Sequence, residues 1–326
     1  MDENTFGRAF DYIKEVIERS RNFEGETEIE LDEGNFTTRL DESIFKKFEG
    51  AERARGAAID GSSFRILSGH SFVIAGRRTG YVIADEKGII SRKIGDITIE
   101  AIEKREAKRL FEEKYEEFMG CMPDDAPDSI DEVVDAVRGL EENAAARDAM
   151  DRLEAGDILM MDGSLRGGKF LSEVIDRNCK YAADRGIHLV GVCKRSDLYT
   201  DRLPVLSWVK VRGDRIFGRQ RWYYPLSEGD GIYIAKLHPF SRFSFRVDVN
   251  PAERDVDGIF GMISAFSNDV SYMGYPYPLA EIHRNVVITS EDGLYCRKAL
   301  REMALMNGFT MDDWEELFLD YHDYLG

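Results

Sequence analysis

GAAIDGSSFRILSGHSFVIAGRRTGYVIADEKGIISRKI, residues 56–94, is the stretch that decides the fold class. Its apolar runs are broken by glycines, a pattern that predicts consecutive β-strands with Asp85–Gly88 (DEKG) as a hairpin turn. Further along, DILMMDGSL at 157–165 is a nearly all-apolar run between a glycine stop and an Asp-Gly-Ser turn. Such a run reads as a strand buried on both faces. LSEVIDRNCKYAADRG (171–186) follows as a helix and IHLVGVCK (187–194) as another buried strand. Strands, helix and buried strands in this order indicate a mixed α/β core.

The outer segments are read by the same periodicities. Residues 5–20 predict a helix with one buried stripe of Phe6, Phe10, Ile13 and Ile17. Further helices are expected around 41–54, over 98–118, near 130–154 (capped by Asp128 or Ser129), over 253–270 and over 296–325. From about 205 to 250 apolar and polar residues alternate, which predicts antiparallel strands. No linker, low-complexity tract or internal repeat marks a domain boundary.

With 326 residues the chain can bury a substantial core, as one large domain or two small ones. No stretch reaches the roughly 18–20 apolar residues of a membrane helix. The acidic, amphipathic start lacks the apolar region of a signal peptide, so a cytoplasmic protein is expected. Cys121, Cys179, Cys193 and Cys296 are scattered, and buried free thiols are expected rather than a disulfide framework or a zinc site.

A net charge of −18 argues against a protein that simply coats nucleic acid. The charge is uneven, however. Residues 165–221 hold 13 basic and 6 acidic side chains, a balance of +7. This segment is either a solvated basic face or a surface for a phosphate backbone. Arg166, Lys169, Lys194, Arg195, Arg212, Arg219 and Arg221 are the candidates for guiding a strand. Trp208, Trp222, Tyr223 and Tyr224 lie in or beside the same stretch, either to stack on unpaired bases or to pack a sheet.

Two near-identical elements carry the chemistry: AAIDGSS at 57–63 and LMMDGSL at 159–165. Each places an aspartate, Asp60 or Asp162, at the end of an apolar strand and before a Gly-Ser turn. Two such strands side by side bring two carboxylates within reach of one hard cation, which prefers oxygen ligands. Asp-Gly-Ser is also a common turn, and one copy would mean little. The third element, YPYPLAEIHRN at 275–285, holds Tyr275, Glu281 and His283 in a backbone restricted by two prolines.

AIDGS, a strand-borne DGSL and Tyr-Pro-x-Pro-Leu-x-x-x-His, in this order and spacing, resemble the motifs of the NurA nucleases. The resemblance implies a ribonuclease-H-like mixed sheet flanked by helices, with additional antiparallel strands. It implies one domain, with a core at about 55–290 and helical extensions at 1–54 and 296–326. By the same resemblance, Asp60 and Asp162 match the metal-binding aspartates, His283 the C-terminal histidine, and Tyr275 the tyrosine before it. The family's helix glutamate falls on Glu141 or Glu142; Glu142 shares a helix face with Arg138 and is favoured.

The implied activity is Mn²⁺- or Mg²⁺-dependent DNA cleavage with two cations per site. The family's activities are single-strand endonuclease and 5′-to-3′ exonuclease on single- and double-stranded DNA. The implied setting is break-end resection by a homodimer partnered with a HerA-type hexameric ATPase. A non-catalytic adaptor of a ring ATPase and another metal-dependent phosphoesterase are the competing readings.

Overall fold

The computed structural model describes residues 3–22, 25–29, 36–69, 71–194, 198 and 205–318. The chain opens with α1 (Glu3–Asn22), β1 (Gly25–Ile29), β2 (Phe36–Leu40) and β3 (Lys46–Lys47). Four strands follow: β4 (Arg55–Ser68), β5 (Phe72–Asp85), β6 (Gly88–Ile94) and β7 (Thr98–Glu103). Then come α2 (Ala107–Met119), α3 (Ile130–Met150), β8 (Ile158–Asp162), α4 (Gly168–Asp184), β9 (His188–Cys193) and α5 (Val205–Phe217). β10 (Trp222–Ser227), β11 (Ile232–Lys236) and β12 (Phe245–Val249) precede α6 (Val256–Ala265), α7 (Tyr277–Val286), α8 (Ser290–Met306) and α9 (Met311–Phe318).

Ten strands form one mixed sheet in the order β3-β10-β11-β12-β9-β8-β4-β5-β6, with β7 also paired to β5. β8 and β9 run parallel with Asp162 opposite Val192, while β12 is antiparallel to β9. The expected α/β class, a mixed sheet with helices and extra antiparallel strands, is the class observed.

The chain forms two compact units, Met1–Ala58 with Ile83–Ser91 and Ala149–Ala280, and Ile59–Val82 with Arg92–Asp148 and Glu281–Gly326. In the first, Trp208, Trp222, Tyr224, Ile232 and Ile234 pack into one core. Gly56 in this unit lies so close to β8 that an added Cβ would stand 2.2 Å from the Ile158 carbonyl oxygen. In the second, Ile66, Leu67 and Cys296 pack with Phe64, Leu300 and Trp314.

Four local expectations are corrected. Residues 205–217 form a helix rather than a strand, because Val205, Trp208, Val209, Arg212 and Gly213 are the buried positions and share a helical face. Over 41–54 there is only a 3-10 turn at Glu42–Ile44, capped by Asp41 accepting from the Ser43 N–H. Lys46 and Lys47 then pair with Tyr223 and Trp222, so sheet pairing wins over helix propagation. Thr98–Glu103 is a strand, since TIEAIE alternates and finds partners along Phe72–Arg77 of β5; the helix begins only at Ala107. The α1 helix forms, but Phe6, Phe10, Ile13 and Ile17 are exposed rather than a buried stripe.

Cys193 and Cys296 are buried as expected, whereas Cys121 is exposed. Cys179 is half-buried, and desolvation, with the Asp176 charge adding, pushes its thiol up to about 12.

At the start of β9, His188 Nδ1 lies 3.0 Å from Glu253 Oε2. That hydrogen bond, aided by the charges of Glu253 and Asp255 and opposed by burial, raises the His188 pKa. A raised folded-state pKa stabilises the fold below the ordinary histidine value and loses that stabilisation as pH rises through the raised value. His188→Gln should therefore lower the melting temperature more at about pH 5.5 than at about pH 8.5. Equal losses at the two pH values would contradict the linkage.

Candidate active site

The second unit brings together Asp60, Glu142 and His283. Asp60 follows Ala57, Ala58 and Ile59 on β4 and is itself buried. The Gly61 N–H donates to its Oδ1 at 2.8 Å, and His283 Nδ1, from α7, lies 2.7 Å from its Oδ2. Pro278 sits in the first turn of α7, where a missing N–H costs nothing, so the proline-rich run starts the helix that carries the histidine.

The sequence reading of Gly61 needs revision. Asp60-Gly61-Ser62 does not end a strand; β4 runs straight through it to Ser68. The glycine makes room instead: a Cβ at Gly61 would meet Glu142 Oε1 at 2.5 Å and its Cγ at 2.8 Å. Glu142 thus lies against the strand beside Asp60 and forms an ion pair with Arg138 one turn earlier on α3. Its neighbour Glu141 turns elsewhere, to Arg77 at 3.3 Å, a buried guanidinium that also holds Glu100 at 2.8 Å. Arg138 keeps its proton more firmly than an ordinary arginine, chiefly through the Glu142 charge, with Asp135 and Asp60 adding.

The first unit brings together Asp162, Tyr275 and Lys194. Asp162 ends β8 after the buried run Ile158–Met161, and here a turn does follow, with Gly163 at φ 127°. A side chain rarely adopts that conformation. Lys194 Nζ lies 2.5 Å from Asp162 Oδ2, and the Tyr275 O–H donates to Oδ1 at 3.3 Å. The turn is pinned from below. Ser164 Oγ and the Leu165 N–H donate to Asp248 Oδ2 at 3.0 and 3.1 Å. Arg246 in turn donates to both Asp248 oxygens, at 2.7 and 2.9 Å, and to Ser164 Oγ at 3.1 Å.

Sequence reasoning missed Arg246 and Asp248. A signal for the pair exists in FRVDV, where two opposite charges share one face of an otherwise apolar strand.

The basic candidates are placed variously. Arg166 is half-buried, with its guanidinium 3.6 Å from Asp230, and Lys169 lies over the Phe170 ring. Arg219 is exposed against Phe240; Arg221 donates to the Leu237 carbonyl at 3.2 Å. Arg212 is buried and paired with Glu42. Arg195 lies outside the described residues. Trp208, Trp222, Tyr223 and Tyr224 are all buried, so of their two readings packing is correct and base stacking is not. Each fills the core: Trp208 and Tyr224 meet edge to face at 5.9 Å, and Tyr223 stacks on Phe260 at 4.6 Å.

A family model described as the NurA domain matches residues 55–288. Among solved structures the chain is similar to the NurA nuclease from Sulfolobus solfataricus, with 15% identity and a TM-score of 0.59 over 94% of this chain and 98% of that one. At that identity the likeness is one of fold. The catalytic domain of human endonuclease V aligns with 12% identity and a TM-score of 0.36, over 92% of this chain and 99% of that one. That second likeness is too distant to carry an argument. No curated protein matches the chain.

Proposed function

The chain belongs to the NurA family and is a nuclease, a hydrolase of phosphodiester bonds, and from this premise we propose that it cleaves DNA with divalent cations held by Asp60, Glu142, Asp162 and His283. The observation that carries the reading is the Asp60–His283 pair at 2.7 Å with Glu142 packed against Gly61. Two carboxylates and an imidazole are the donors that Mn²⁺ accepts, and carboxylates suit Mg²⁺ as well. The donor set fits the group. Bound there, the cations would lower the pKa of a water and neutralise charge on the phosphoryl oxygens.

The chain's own residues do the rest. The Gly61 N–H and His283 hold the Asp60 carboxylate in one orientation, as outer hydrogen bonds do for metal ligands. His283 would ligate a cation or move a proton to the leaving oxygen. Tyr275, whose hydroxyl reaches Asp162, orients a phosphate or a water. Arg138 and Lys194 offset the carboxylate charge in their respective units.

The proposal extends to a ribonuclease-H-like core, a cytoplasmic homodimer and a HerA-type hexameric ATPase as partner in double-strand-break end resection. These finer parts are supported by the motif set and the family alone. No described helix is long and apolar enough to cross a membrane.

The direct test is cleavage of 5′-labelled single-stranded DNA with Mn²⁺, with EDTA and Asp162→Ala as controls. Cleavage should require the metal and disappear in the variant. Cleavage that persists in EDTA would sink the metal reading. A wild type inactive with and without a ring ATPase would favour the adaptor. Hydrolysis of a generic phosphate ester but not of DNA would point to a small-molecule phosphoesterase.

A further inference from the structure

The four aromatic residues that the sequence offers for base stacking are buried, yet two other rings in the same unit are not. Phe240 and Phe243, on the loop joining β11 to β12, are 60% and 65% exposed. The loop that carries them is tied down. The Phe240 N–H donates to His238 Nδ1 at 3.1 Å, and the Ser241 N–H to the His238 carbonyl at 3.0 Å. Ser241 is buried; its Oγ donates to the Phe243 carbonyl at 2.9 Å and accepts from the Phe243 N–H at 3.0 Å. Gly274, at φ 94°, leaves the space that Ser241 fills: a Cβ there would stand 2.2 Å from Ser241 Oγ. The two rings are therefore held out in water by a fixed backbone, at a hydrophobic cost that a ligand would relieve.

The surroundings are cationic. The Arg219 guanidinium lies over the Phe240 ring, 5.4 Å from its centre, and Arg242, the residue before Phe243, is exposed. Arg221 braces the base of the loop at the Leu237 carbonyl and at Asn268. Burial, then the charges of Arg221 and Lys236, push the His238 imidazole below its ordinary pKa, as a locally positive field does.

The loop also leads to Asp162. It runs into Phe245, whose ring centre lies 5.3 Å from that of Tyr275, and the Tyr275 hydroxyl reaches Asp162. Arg246, the next residue, is opposite Cys193 at the end of β9.

We propose that Phe240 and Phe243 form a stacking platform for the bases of an unpaired nucleic-acid strand, with Arg219 and Arg242 on its phosphates. Aromatic faces with arginines beside them bind single strands in this way, tolerant of sequence because every base has a π-face. This assignment rests on the nuclease reading and specifies how the substrate is held.

The test uses the full-length protein in EDTA, so that metal-dependent cleavage is suppressed, with a single-stranded oligonucleotide containing 2-aminopurine. Wild type should bind and quench the fluorescent base by stacking. Phe240→Ala and Phe243→Ala should each weaken binding about ten-fold and reduce the quench. Phe240→Leu with Phe243→Leu keeps apolar bulk but should also lose the quench. Both rings are exposed, so the melting temperature should not move and will separate a binding defect from misfolding.

Unchanged affinity and quench in the alanine variants, beside a wild type that cleaves the oligonucleotide with Mn²⁺, would overturn the platform and leave the nuclease reading intact. A change in oligomeric mass with affinity unchanged would overturn it in favour of a protein interface. A wild type that neither binds nor cleaves the strand would overturn both.

Discussion

Asp60→Asn should reduce Mn²⁺-dependent cleavage of single-stranded DNA on the order of a thousand-fold while leaving the fold intact. The substitution keeps the shape of the side chain and an oxygen to accept the Gly61 N–H, which stands at 2.8 Å from Oδ1. It removes the negative charge that would bind the cation and that His283 faces at 2.7 Å. Because the site is buried within β4, alanine there would confuse lost charge with lost packing; asparagine does not. The check is a paired measurement of turnover and melting temperature. A variant that keeps more than about a tenth of wild-type activity would show that Asp60 is not a cation ligand.

The second large effect is expected at Asp248. Asp248→Ala leaves Arg246, which is also buried, without the carboxylate that accepts from it twice. Breaking a buried ion pair on one side costs about 3–5 kcal/mol, so the melting temperature should fall by many degrees. A swap of both partners, Arg246→Met with Asp248→Leu, should recover most of that stability, since a well-packed apolar pair replaces a buried ionic one at little cost. Activity should not recover with it. Ser164 and the Leu165 N–H both rest on Asp248, and without that anchor the turn after Asp162 loses its fixed position. A loss of about ten- to a hundred-fold in turnover is expected in the double variant, the usual range for residues that orient a metal ligand. Full activity in a stable double variant would show that Asp248 only holds the strands together.

The parts of this molecule legible in the sequence were those where one physical rule dominates. Buried strands such as β8 announce themselves by unbroken apolar runs, and α3 and α4 by their spacing and boundaries. The motif residues were legible because a carboxylate at the end of an apolar run is conspicuous. Elements whose state depends on distant partners were not. Thr98–Glu103 became a strand because β5 offers it an edge, and Lys46–Lys47 because Trp222–Tyr223 does. α5 was obscured because its seam contains Arg212 and Gly213, which do not look apolar although both are buried.

The same limit explains the aromatic residues. A tryptophan beside arginines reads alike whether it faces a base or a core, and only tertiary packing separates Trp208 and Trp222 from Phe240 and Phe243. Glu141 and Glu142 are adjacent in sequence; what distinguishes them is that Arg77 faces one and Gly61 the other.

Gly56 is not among the residues proposed to do chemistry, yet the room it leaves is only enough for a hydrogen beside the Ile158 carbonyl. Any side chain there would wedge β4 away from its neighbour in the sheet. The position is thus a bottleneck for sequence drift: nearly every mutational step out of glycine carries a steric penalty before any gain is possible. Improvement by chance has to come from elsewhere, in the loops and exposed helices, where an added methyl group meets only water.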